Sequence, residues 1–135
     1  MDNDQTVQPI PAQDEGQQML PGDKTAITAP SGLVLHLQDV VWNAPGPDGL
    51  TLRFRFVATA LADADEEAIT TASDDMFWLC QTYALPRIPN TGPQPAQIVI
   101  SVADRELPFG EAAPDALQLF EAYSLTDGEC VWSVF

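Results

Sequence analysis

The stretch LTLRFRFVAT, residues 50–59, alternates apolar and polar side chains over most of its length. Leu50, Leu52, Phe54 and Phe56 fall on one side and Thr51, Arg53 and Arg55 on the other, which predicts a strand buried on one face. SGLVLHLQDVVW, residues 31–42, alternates in the same way, with Leu33, Leu35 and Leu37 opposing Val34, His36 and Gln38. The turn formers NAPGPDG between them, residues 43–49, join the two strands into a hairpin. QIVISVAD, residues 97–104, is rich in β-branched residues and predicts another strand. RELPFG, residues 105–110, is expected beside it as a short edge strand, because Pro108 disfavours a central position. The chain closes with ECVWSVF, residues 129–135, reached through the turn Thr126-Asp127-Gly128, with Cys130, Trp132 and Val134 toward the core.

Helical periodicity occurs twice. In SDDMFWLCQTYALP, residues 73–86, Ser73 is a suitable N-cap, Asp74 and Asp75 suit the positive end of the helix dipole, and Pro86 ends the helix. Met76, Leu79, Cys80, Tyr83 and Ala84 share one stripe at the 3.6-residue period. A second, short helix is expected in APDALQLFEAY, residues 113–123, with Leu117, Phe120 and Tyr123 inward. The resulting fold class is α+β: one small domain, an antiparallel sheet of four to five strands, and one main and one short helix on one face.

Composition divides the chain at about residue 30. Residues 1–30 are rich in Gln, Asp and Pro and too poor in apolar residues to offset their ordering entropy, so they read as a flexible tail, pinned if anywhere at Met19-Leu20 or Ile27. Residues 31–135 hold all three Trp, all six Phe and both Cys and form the domain. The net charge of -15 argues against nucleic acid and anionic membrane surfaces as partners. No run approaches the ~20 apolar residues of a membrane span. Met1 is not followed by a basic and then apolar export signal, so the expectation is a cytosolic protein or a mature form whose signal has been removed.

Few residues ask for chemistry. The acidic run Asp63–Glu67 places Ala68 where an EF-hand loop needs Gly, so it reads as a solvated connection within ALADADEEAITTA, residues 60–72. Motifs for nucleophilic catalysis, zinc-protease chemistry and nucleotide phosphate binding are missing from the sequence. The single His36 cannot complete a zinc site with two cysteines, and neither a metal nor a cofactor is expected. Cys80 and Cys130 read either as two buried thiols, in the cytosol, or as one bond from helix to last strand, if exported. Closing a loop of that span would stabilise the domain by roughly 4 kcal/mol. Trp78 lies opposite the apolar stripe of its helix. Either the N-terminal tail or the loop at residues 87–96 covers it and Leu85, or with Leu85, Arg87, Ile88 and Pro89 it forms a candidate patch for a protein partner. Arg53 and Arg55 are expected to pair with surrounding acids and are otherwise the candidates for contact with an anionic ligand.

Taken together, PSGLVLHLQDVVW, GLTLRFRFVA, LCQTYALPRIPNTGPQPAQIVISVADRELPFG and FEAYSLTDGECVWSVF resemble a family of small proteins of unknown function from marine and photosynthetic alphaproteobacteria, made with an N-terminal export signal. The resemblance covers nearly all of residues 30–135. It implies an envelope location and favours the Cys80–Cys130 bond, and it carries over no activity and no catalytic residue. The functional expectation is a non-enzymatic periplasmic or exported module binding a protein partner of an envelope complex. A binding protein for a small ligand held between helix and sheet is the alternative, and an enzyme ranks last.

Overall fold

The computed structural model describes residues 18–46, 49–88, 94–109, 111 and 113–133. Its centre is a mixed sheet of strands β1 (Gln18–Pro21), β3 (Val34–Gly46), β4 (Gly49–Val57), β5 (Gln97–Ala103), β6 (Gln118–Thr126) and β7 (Glu129–Ser133), in that spatial order. A two-residue β2 (Ile27–Thr28) pairs with the start of β3, on which β1 also pairs further along. Six to seven strands therefore replace the four to five expected. The extra ones come from residues 18–28, where Met19-Leu20 and Ile27 pair with β3, and from β6. Between β1 and β2 the chain crosses so close to β3 that a Cβ on Gly22 would sit 2.0 Å from the Leu37 carbonyl oxygen. Only glycine fits this crossing.

The chain between β4 and β5 contains helix α1 (Glu66–Leu79), extended by a wide π-type turn (Cys80–Ala84) and a short 3-10 turn (Leu85–Arg87). This crossover makes β4 and β5 parallel, so the sheet is not purely antiparallel as expected. α1 starts seven residues before the expected N-cap Ser73. Asp65 is the cap, accepting the Ala68 N–H at 2.8 Å, and Glu66 and Glu67 occupy the first turn. Only the end of the acidic run, Asp65–Glu67, starts the helix, while Asp63 closes a 3-10 turn (Thr59–Asp63) ahead of it, so the run is not one solvated connection.

The expected second helix is strand β6. Leu117, Phe120 and Tyr123 mimic a helical stripe, yet from Gln118 the segment pairs with β5 and from Ala122 with β7 as well, and this ladder pairing overrides the helix propensity of Gln, Leu, Glu and Ala. The expected edge strand at Arg105–Gly110 is also absent among the described residues: residues 105–107 are irregular and run across the sheet face away from α1. Asp127 (φ 53°) and Gly128 (φ 78°) form the two-residue β6–β7 turn, whose positive φ values suit Asp-Gly.

The core lies between the sheet and α1. Leu35, Leu37, Leu52, Phe54, Phe56, Ile98, Ile100, Val102 and Tyr123 meet Met76, Leu79, Cys80 and Ala84 there. Tyr83 sets its ring edge to face with Phe54 and Phe56, at centroid distances of 6.4 and 5.4 Å. Cys80 and Cys130 lie with their sulfurs 2.05 Å apart, at disulfide distance, joining the end of α1 to β7. The Gln81 side chain accepts the Cys130 N–H at 2.6 Å, which caps part of the free edge of β7. No described helix is long and apolar enough to cross a membrane.

Candidate functional site

The sheet face turned away from α1 carries the polar phase of β4 and a mixture of polar and apolar residues from its neighbours. β4 places Thr51, Arg53, Arg55 and Val57 there, opposite Leu52, Phe54 and Phe56. Pairing register sets a row across four strands: Asp39 on β3, Arg55 on β4, Ser101 on β5 and Phe120 on β6. The adjacent row is Val41, Arg53, Val99 and Ala122. Asp39 reaches this face because the ladder slips between Leu37 and Asp39. Without that bulge at Gln38, strict alternation would turn the carboxylate into the core.

Asp39 and Arg55 form a buried ion pair, with the Arg55 Nη1 3.1 and 3.3 Å from the two Asp39 oxygens. Burial pushes the Asp39 carboxyl above its ordinary pKa even with the Arg55 guanidinium beside it. Arg55 also donates through Nη2 to the Leu107 carbonyl. Gln38 grips the same residue, donating to its carbonyl at 2.7 Å and accepting its N–H at 3.2 Å. These bonds lay the connection between β5 and β6 across the face as a strap. At its base, Asp104 donates its N–H to the Leu117 carbonyl and accepts the Leu117 N–H on its carboxylate, while Arg105 donates to Asp104 and to the Asp115 carbonyl. The hydrogen bond from Arg105, then that from the Leu117 N–H, holds the Asp104 carboxyl below its ordinary pKa.

The strap brings Phe109 over both arginines, its ring centroid 5.2 Å from the Arg55 Cζ and 5.9 Å from the Arg53 Cζ. Beside it opens a pocket of about 240 Å³ lined by Arg53, Arg55, Ser101, Pro108, Phe109, Glu111, Gln118 and Phe120. The two arginines differ in kind. Arg55 is neutralised by Asp39. Arg53 lies between the buried Val41 and Val99, has no carboxylate partner among the described residues, and keeps a buried Nε without a hydrogen-bond acceptor. Burial first, and the neighbouring Arg55 second, lower the Arg53 pKa from its ordinary value. Such a guanidinium offers donors to an anion at the place where the desolvation cost of the cation has already been met.

A larger cavity, about 380 Å³, runs between α1 and the turn after β2. Its one buried carboxylate, Asp75, is occupied by the backbone N–H and hydroxyl of Ser31, and most of its other walls are alanine and leucine, so size and chemistry do not coincide.

The remaining candidates are dispersed. Trp78, Leu85 and Ile88 are half-buried and pack against the core. Arg87 lies with its Cζ 3.5 Å from the Tyr83 ring centroid and donates to the Tyr83 carbonyl, and Pro89 falls outside the described residues. The tryptophan that does stand out is Trp132, 51 % exposed, whose Nε1 donates to Glu121 at 2.6 Å. Val134 is also outside the described residues. His36 approaches Glu106 of the strap at 3.5 Å. The structure thus brings Arg53 and Arg55 into one pocket, together with Ser101, Gln118, Phe109 and Phe120, which sequence reasoning missed. Asp39 was the available signal, a charge standing in the core phase of an alternating strand.

Fold and pocket define a small mixed α+β protein with an arginine-lined recess on the open face of its sheet. The chain belongs to the family of unknown function DUF6497, whose model matches residues 10–135. No curated protein and no solved structure matches it.

Proposed function

We propose that this chain is an exported binding module that holds a small anionic ligand in the Arg53–Arg55 pocket. The observation that carries the reading is Arg53: a partly buried guanidinium with no counter-ion among the described residues, in a protein of net charge -15. A fold that needed only its own stability would have little use for a cation without a carboxylate in that place. The Trp78 patch supports a partner-binding reading less well, because Trp78, Leu85 and Ile88 are largely spent on covering the core. Export rests on the cysteine pair at disulfide distance and on the resemblance to exported alphaproteobacterial proteins.

The test is a titration of isotope-labelled protein with acetate and with inorganic phosphate, followed by NMR at the arginine Nε–H groups and backbone amides. Saturable shifts at Arg53, Ser101 and Gln118, lost in Arg53→Met, are the expected result. Shifts that are unsaturable, or unchanged by that substitution, contradict it. For location, alkylation of unreduced protein from its native cell is expected to leave Cys80 and Cys130 unmodified. Two modified thiols contradict export.

A further inference from the structure

We infer that the pocket's ligand is a monocarboxylate carried on an apolar body, a class that rests on the anion reading above. Charge sets the first limit. Arg55 is balanced by Asp39, so the pocket presents one uncompensated positive charge, Arg53, with the exposed Glu111 at its rim. A dianion such as phosphate would meet Glu111 and the negative field of the whole chain, whereas a single carboxylate matches one guanidinium. Geometry sets the second. A guanidinium is a planar fork of donors that takes a carboxylate through two parallel hydrogen bonds.

The walls set the third limit. Phe109 and Phe120 are 38 % and 45 % exposed beside the arginines, an unusual position for two phenylalanines in a domain with a well-filled core. Each is held where it is, Phe120 by register in the Asp39–Arg55–Ser101 row and Phe109 by the strap. An apolar group next to the carboxylate would take both rings out of water, a gain that a bare inorganic anion cannot supply. At about 240 Å³ the recess is smaller than the ~300–1,000 Å³ of sites for drug-sized ligands, so the body is compact. A free acid and the apolar C-terminal residue of a peptide share this chemistry.

Calorimetry with 3-phenylpropionate, its amide, N-acetyl-Gly-Phe and inorganic phosphate tests the assignment, with NMR of the Arg53 Nε–H as the site readout. At least one of the two acids is expected to bind about ten- to hundredfold more tightly than the amide, the value of a charge-assisted hydrogen-bond pair. The tighter of the two acids names the source. Phe120→Ala is expected to weaken the acid and leave phosphate unaffected, and Arg53→Met to abolish the preference for acid over amide, with circular dichroism confirming that both variants fold. Phosphate binding at Arg53 more tightly than either acid overturns this inference and leaves the anion reading standing. If no probe moves the Arg53 signal, both fall.

Discussion

The two faces of the sheet are built from the same strands, one residue out of phase, and they solve opposite problems. Toward α1, Leu52, Phe54 and Phe56 are almost wholly inaccessible and meet only apolar partners. On the other side Arg53 and Arg55, their immediate neighbours in the chain, sit beneath a strap whose hold is polar: Gln38 and Arg55 on Leu107, and Asp104 on Leu117. The first face supplies stability, and its one unsatisfied group among the described residues is the buried Tyr123 hydroxyl. The second binds its own strap yet leaves Arg53 with no carboxylate and its Nε with no acceptor among the described residues. Consecutive residues of one strand therefore serve the fold and the site in turn, and substitution can separate the two.

The sharpest contrast is between neighbours. Phe54→Ala is expected to cost up to about 5 kcal/mol, since it empties a fully packed place against Tyr83. Chemical denaturation measures it, and a loss below about 2 kcal/mol would mean the two faces are not so unequal. Removing both sulfurs, as Cys80→Ser with Cys130→Ser, should cost about 4 kcal/mol for a separation of 50 residues. The same unfolding curves, run with and without reductant on the unmodified chain, should show that difference. On the open face, Asp39→Asn strands the Arg55 charge and is expected to cost roughly 3 kcal/mol. It should also loosen the strap, read as faster hydrogen exchange at Leu107. A variant as stable as the parent would show that the pair does not organise this face.

The smaller effects are pH limbs, one for each face. Tyr123 is buried on the helix face with no hydrogen-bond partner for its hydroxyl among the described residues, and burial, then the nearby Glu121, raises its pKa well above the ordinary tyrosine value. The unfolded chain loses that proton near pH 10 while the folded chain retains it, so stability falls as pH rises above about 10. Tyr123→Phe should flatten that alkaline limb and leave stability at neutral pH nearly unchanged. Asp104, with its pKa lowered by Arg105 and the Leu117 N–H, acts in the other direction. Its contribution is present above the ordinary aspartate value, about pH 4, and is lost as pH falls through its lower folded value. Hydrogen exchange at Leu117 should rise in acid before the core opens, and simultaneous opening of both would argue against a separately held strap.

What the sequence disclosed follows the same division. Alternation in β4 was legible because both phases are pure: every second residue from Leu52 is apolar and every residue between them through Arg55 is polar. β5 was legible because a β-branched run is strand-forming whichever face it buries. Two features were obscured by local mimicry. Ser73 followed by two aspartates imitates a helix start, while the actual cap at Asp65 precedes a run whose Ile69, Thr70 and Thr71 dilute the helical signal. Leu117, Phe120 and Tyr123 imitate a helical stripe in a segment that only its neighbours β5 and β7 make a strand. Both arginines of the site were visible as a pair on one face. The pocket around them was not, because it depends on a bulge at Gln38 and on a strap whose path is set by side chains far apart in sequence.

The most direct test is the thermal unfolding of Arg53→Met beside the unmodified protein, each with and without 3-phenylpropionate. If Arg53 is kept for a ligand, the ligand-free variant should be as stable as the parent to within about 0.5 kcal/mol, or more stable, because it no longer holds a partly buried unpaired cation. Only the parent should then gain stability as the acid is added. A ligand-free variant destabilised by more than about 1 kcal/mol, with the same response to the acid as the parent, would place Arg53 in the fold rather than in a site.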